Sequence, residues 1–220
     1  MTGLPIVFDL DGTLIDSAPD IHACVNATLR QHRLPLLSLG QVRGFIGGGV
    51  DVLWAHIARA IGIAPEMQRD LLASFMVRYH HATGLTRMFP HVAETLGILA
   101  DRGHRLAICT NKPMAPAVKI LEHFGLNRLF SYVIAGDTLP LKKPDPAPLR
   151  AAFEGLDSPD LRGYFVGDSE FDELTAAALP APFLLFTEGY RKTPVARLRC
   201  LHSFSDFLEL PALCAAPAPA

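Results

Sequence analysis

Five short apolar runs rich in β-favouring residues constrain this chain more than any other feature: PIVF at 5–8, RLAIC at 105–109, YVIA at 132–135, GYFV at 163–166 and FLLF at 183–186. Continuous apolar runs of this kind predict strands covered on both faces, as in a parallel sheet. Helix-length segments lie between most of them, at 92–102, 114–124, 146–153 and 171–179. The alternation predicts an α/β fold, a doubly wound, Rossmann-like parallel sheet.

Residues 17–88 break the rhythm, with helical periodicity and no convincing strand. Ser17 and Asp20 have the S-x-x-D spacing of a capping box, and Ile21, Val25 and Leu29 then share one face. Val50, Leu53, Trp54, Ile57 and Ile61 form a second apolar stripe, and Leu71, Leu72, Phe75, Met76 and Tyr79 a third. The expected organisation is a sheet domain from 1–16 and 89–213, an inserted all-helical cap at 17–88 and a flexible Pro-rich tail at 214–220. Ligands of doubly wound sheets bind outside the carboxyl ends of the strands, so a module inserted after the first strand is placed to act as a lid.

With 50% hydrophobic and 19% charged residues, the chain has ample material for a packed core. Its 20 basic and 22 acidic residues are dispersed, so there is no positive field to attract nucleic acid. Cys24, Cys109, Cys200 and Cys214 show no CxxC spacing and read as reduced thiols. Asp9 cuts short the first apolar run, and AAALPAPFLLF is too short and too proline-rich for a membrane span. A soluble, cytoplasmic protein is expected. Composition does not distinguish a cap surface from a dimer surface.

Chemistry-bearing residues recur at the strand ends. FDLDGTLIDS places Asp9, Asp11 and Asp16 together after the first strand, where like charges repel unless a cation or proton relieves them. Thr110 and Asn111 follow RLAIC, Lys142 and Lys143 lie in the loop after YVIA, and Asp168 and Asp172 follow GYFV. A parallel sheet brings these ends to one edge, a setting suited to a hard cation and an anionic substrate. The Asn111 amide precedes a helix whose start is marked by Pro113, a favourable end for an anion. His22, His80 and His81 do not share a face that suggests metal binding.

Four of these pieces, DLDGTLIDS, TNK at 110–112, KKPDP at 142–146 and GDSEFD at 167–172, occur in the order found in haloacid dehalogenase superfamily phosphatases with a helical cap. The chain resembles that family, and within it the bacterial phosphoglycolate phosphatases, which FLLFTEGYRK at 183–192 also resembles. The resemblance implies Asp9 as the nucleophile and Asp11 as the acid and base. It implies Thr110, Asn111 and Lys143 as phosphate-binding groups, with Lys142 as the adjacent competitor for Lys143. It places Mg²⁺ on the Asp9 carboxylate, the Asp11 backbone carbonyl and Asp168, with Asp172 and Ser169 orienting that shell. Asp16 is expected to be structural, near the hinge.

GFIGGGV at 44–50 lacks the G-x-G-x-x-G spacing and reads either as a flexible interhelical turn or, by the resemblance, as the cap's specificity loop. In the second case Gly47 and Gly48 lie close to a small substrate and Arg43 pairs with its carboxylate. AAALPAPF at 176–183 departs from the family, where an Ala-Gly turn is usual; a shifted loop is expected at Leu179-Pro180, without loss of catalysis.

The expected activity is Mg²⁺-dependent hydrolysis of a small phosphomonoester, with 2-phosphoglycolate first and sugar phosphates, nucleotides, pyrophosphate or a phosphosugar mutase reaction as alternatives. Asp11 argues against dehalogenation, which needs no leaving-group acid. The first lysine is Lys112, so the cap lysine of phosphonate-cleaving relatives is lacking. A receiver domain would carry its acceptor Asp on a mid-chain strand and have no cap.

Overall fold

A computed structural model describes residues 3–179 and 181–215. The chain begins with strand β1 (Ile6–Phe8) and a short β2 (Ile15–Asp16), then four helices: α1 (Ala18–Gln31), α2 (Leu39–Arg43), α3 (Val50–Ile61) and α4 (Pro65–Tyr79). It returns through β3 (Arg87–Met88) and alternates through α5 (Val92–Asp101), β4 (Leu106–Cys109), α6 (Met114–His123), β5 (Phe130–Ile134), α7 (Ala147–Gly155), β6 (Tyr164–Gly167), α8 (Glu170–Ala178) and β7 (Phe183–Phe186). β8 (His202–Phe204) and α9 (Leu210–Leu213) complete it.

Six strands form one parallel sheet in the order β5-β4-β1-β6-β7-β8. Side chains alternate across it, which explains the unbroken apolar runs. Ile6, Phe8, Leu106, Ile108, Val166, Leu184 and Phe186 enter the core on one face. Val7, Ala107, Cys109, Phe165, Phe183 and Leu185 enter the core on the other. Both faces are covered, so neither parity of any central strand tolerates a polar residue.

α1, α3 and α4 pack around a separate apolar cluster containing Val25, Leu29, Trp54, Ile57, Leu71, Phe75 and Tyr79. Chain entry and return are joined by the antiparallel β2–β3 pair, Ile15 with Met88 and Asp16 with Arg87. Two-residue strands carry almost no periodic signal, and neither they nor the edge strand β8 was expected from the sequence. Cys214, assigned by composition to the tail, is buried in the sheet's core. Pro180 and the tail beyond Ala215 lie outside the described residues.

The capping box expected at Ser17 and Asp20 does not form. Ser17 donates instead to Asp11 Oδ1 at 2.5 Å. Asp20 turns to the returning chain and accepts from the Leu85 amide (3.0 Å), the Thr86 amide (2.7 Å) and the Thr86 hydroxyl (2.6 Å). The first helical amide, that of Ala18, is met by Asp16 Oδ1 and the Tyr190 hydroxyl. Tertiary partners have displaced the local cap, because the helix starts at a crossing point between two packed regions. No helix among the described residues is long and apolar enough to cross a membrane.

Candidate active site

The carboxyl ends of β1, β4 and β6 are neighbours in the sheet, and the chain leaves β1 toward β4 on one side and reaches β6 on the other. This is where a doubly wound sheet opens a crevice. Asp9, Thr110 and Asp168 sit at those three ends, all buried. Lys143, from the loop after β5, reaches into the same place: its Nζ lies 2.7 Å from Asp9 Oδ1 and 2.6 Å from Asp172 Oδ1. The neighbouring Lys142 points outward to Asp51 Oδ2 at 2.7 Å, at the start of α3.

Burial works against the Lys143 charge, but Asp172 and Asp9 outweigh it and hold the ammonium above the ordinary lysine range. Burial also pushes the Asp9 carboxyl up to about 7, a rise that Lys143 opposes and Asp172 adds to. Asp168 is raised by burial and by the charges of Asp172 and Asp9. One ammonium therefore pairs with two of these three buried acids, Asp9 and Asp172.

Each acid is held in place. Asp168 accepts from Thr13 Oγ1 (2.8 Å) on Oδ1 and from the Tyr190 amide (2.6 Å) on Oδ2. Gly12 (φ +93°) lies so close that a Cβ there would stand 2.5 Å from Asp168 Oδ2, so only glycine fits the turn. Asp172 Oδ2 accepts from the Ser169 hydroxyl (2.6 Å), the Ser169 amide (3.1 Å) and the Asp168 amide (3.3 Å). These bonds lock the β6–α8 turn.

Asp9, Asp168 and Asp172 can each offer one carboxylate oxygen, with all three atoms within 4.8 Å of one another. The donors are hard, buried and short of positive charge, which fits a divalent cation of the Mg²⁺ type. Asp172 already spends its oxygens on Lys143, Ser169 and the Asp168 amide, leaving Asp9 and Asp168 the better-placed carboxylates. The Asp11 carboxylate is turned elsewhere, toward Lys112 and Ser17.

Asp9 and Asp11 also line a cavity with Thr110, Asn111, Lys112 and Tyr79, roofed by Ile21, Gly47, Gly49, Val50 and Leu53 from the helical segment. The Thr110 hydroxyl oxygen accepts from the Lys112 amide at 3.2 Å, which leaves its hydrogen for a ligand. The Asn111 side chain is committed to scaffolding: it donates to the Gly47 carbonyl (3.0 Å) and the Lys143 carbonyl (2.9 Å), and accepts from the Lys143 amide (3.0 Å). Gly48 is not among the lining residues. Nor is Arg43, whose guanidinium meets Asp16 Oδ2 at 3.0 Å and lies 5.7 Å from the centre of the Tyr190 ring.

A family model described as haloacid dehalogenase-like hydrolase matches residues 6–185, which take in all of these site residues except Tyr190. The chain belongs to that family. This hydrolase is 46% identical over 211 residues to a protein of Cereibacter sphaeroides named phosphoglycolate phosphatase, covering 94% of this chain and 96% of the relative. It is 40% identical to one of the same name from Rhodobacter capsulatus, over 94% and 95% of the two chains. Among solved structures, a predicted phosphoglycolate phosphatase from Haemophilus somnus superposes with a TM-score of 0.90 at 32% identity, covering 95% of this chain and 96% of that one.

Sequence reasoning did not single out four groups that shape the site of this hydrolase: Lys112, Tyr79, Ser17 and Tyr190. Lys112 belongs to the TNK motif and was available from it. Tyr79 was hidden in an apolar helical stripe, and Tyr190 acts partly through its amide, which no residue type betrays.

Proposed function

We propose that this hydrolase cleaves 2-phosphoglycolate to glycolate and phosphate through a phosphorylated Asp9. Its family and its near-full-length relatives make it a phosphoric monoester hydrolase. The observation that carries the finer reading is the shared cavity of Asp9 and Asp11, one carboxylate paired with Lys143 and the other with Lys112. Two acids two residues apart are thereby held for different tasks.

In this reading an Asp9 oxygen attacks phosphorus while the bond to the ester oxygen breaks, and the departing oxygen takes a proton from Asp11. Asp11, now ionised, removes a proton from the water that attacks the aspartyl phosphate, which releases phosphate and restores Asp9. The Thr110 hydroxyl donates to a phosphoryl oxygen, and Lys143 balances charge on Asp9 and the phosphoryl group. Mg²⁺ on Asp9 and Asp168 would supply further neutralisation of the phosphoryl oxygens. Asp172 and Ser169 orient this cluster.

The cavity holds about 30 Å³ of space open to water. That is room for one or two waters, so substrate entry requires residues 17–88 to move as a cap relative to the sheet. A site this small favours a compact phosphate over a nucleotide. Sequence relatives of one name over nearly the whole chain support the choice of phosphoglycolate, and a cytoplasmic location accords with such a substrate.

Phosphate release from phosphoglycolate, small sugar phosphates, a nucleoside monophosphate and pyrophosphate, with Mg²⁺ or with EDTA, tests the proposal, with Asp9→Asn as the blank. Phosphoglycolate should lead in kcat/KM, and both EDTA and the substitution should abolish release. Another leading phosphate would overturn the substrate assignment; activity retained by Asp9→Asn would overturn the mechanism.

A further inference from the structure

We propose that Lys112 and Tyr79 together receive the anionic group that a small substrate carries beyond its leaving oxygen, a carboxylate in phosphoglycolate. The inference rests on the phosphatase reading above and adds to it the residues that choose the substrate.

Both side chains line the cavity and both are buried, with exposures of 6% and 4%. Lys112 Nζ donates to Asp11 Oδ1 at 3.0 Å and to the Tyr79 hydroxyl at 2.6 Å. An ammonium can only donate, so the Tyr79 oxygen is the acceptor and its hydrogen is left over. Among the described residues no hydrogen bond uses that hydrogen. Burial holds the phenol above its ordinary range, so it keeps the proton. A buried donor facing a cavity without an acceptor is costly unless a ligand supplies one.

Position then selects the ligand group. Asp11 is the acid for the leaving oxygen, so whatever is bonded to that oxygen must extend past Asp11. Of the two groups bonded to the Asp11 carboxylate, Ser17 and Lys112, only the ammonium, 3.0 Å away, lines the cavity, and so does the phenol it donates to. In phosphoglycolate a single methylene separates the leaving oxygen from the carboxylate, which brings the carboxylate to this pair. The other roof side chains, those of Ile21, Ile46, Val50 and Leu53, are apolar. Arg43, the other cation expected to bind a carboxylate, is taken by Asp16.

Tyr79 ends α4 and Lys112 follows β4, so the receptor is complete only when the helical segment lies against the sheet. A mere clasp between the two regions would affect all substrates alike, whereas a receptor discriminates. The test compares kcat/KM for phosphoglycolate and for ethyl phosphate, which replaces the carboxylate with a methyl group. In Tyr79→Phe, which keeps the ring stacked on Phe75, the preference for phosphoglycolate should fall about tenfold or more, the worth of a hydrogen bond to a charged group. Lys112→Gln should reduce it further and decides the matter if Tyr79→Phe does not fold. Equal losses for both substrates in the variants would overturn the inference and leave a clasp. A preference that survives at full size would overturn it while sparing the substrate assignment, and a wild-type enzyme indifferent to the carboxylate would overturn both.

Discussion

Two buried lysines, each tied to an aspartate two residues from the other, divide the labour of this site differently. Lys143 belongs wholly to the sheet domain: both of its carboxylate partners, Asp9 and Asp172, follow strands of the same parallel sheet. Lys112 stands at a seam, with Asp11 on the sheet side and Tyr79 on the helical side. The comparison teaches where rigidity is needed. In the proposed reaction, the groups that meet the transferring phosphoryl are fixed by strands whose both faces are packed, while those proposed to read the rest of the substrate are assembled by a contact that would part to admit it.

The contrast is broken most severely at Lys143. Lys143→Met leaves Asp9 and Asp172 facing each other without their shared cation, and steady-state kinetics on any accepted phosphate should show kcat lower by about 10³-fold. Unlike a change at Lys112, the loss should be indifferent to the leaving group.

A smaller effect falls on stability at the seam. Asp20→Ala strips three donors, the two on Thr86 buried, of their acceptor where the chain returns from the helices. Denaturant unfolding should show a loss of roughly 3 kcal/mol. A broadened or two-step transition would mean that the helical segment melts first.

A third effect concerns pH. The folded chain holds the Asp9 proton up to about 7, whereas the unfolded chain releases it near 3.8. The corresponding stability is present at low pH and is lost as pH rises through that window. In chelator, Asp9→Asn should therefore gain stability relative to the parent between about pH 4 and 7, measured by thermal melts at each pH. A constant difference would show that Lys143 already keeps Asp9 ionised.

The two regions also differed in how far sequence disclosed them. At the sheet edge, strand and chemistry are adjacent in the chain: PIVF runs into Asp9, RLAIC into Thr110 and GYFV into Asp168, so period and motif point to the same place. At the seam they are not. Tyr79 shares an apolar stripe with Phe75, and its hydroxyl acquires a role only through a lysine 33 residues away. Arg43 looked free beside a glycine-rich turn because Asp16, its partner, is 27 residues distant. Ser17 and Asp20 had the spacing of a local cap, yet Ser17 turns back to Asp11 and Asp20 finds its partner at Thr86, 66 residues on. Pairings of that range depend on how two packed bodies meet, and periodicity is blind to them.

Tyr190 has a bearing on engineering. Its amide steadies Asp168, and its hydroxyl donates to Asp16 and accepts from the Ala18 amide. Asp16 in turn holds Arg43. A graft that exchanged residues 17–88 for those of a relative would keep Asp16 and Tyr190 from the recipient but take the amide at 18 and the residue at 43 from the donor. Compatibility at this four-residue junction, rather than any likeness of the helices themselves, would decide whether such a chimera closes over its substrate.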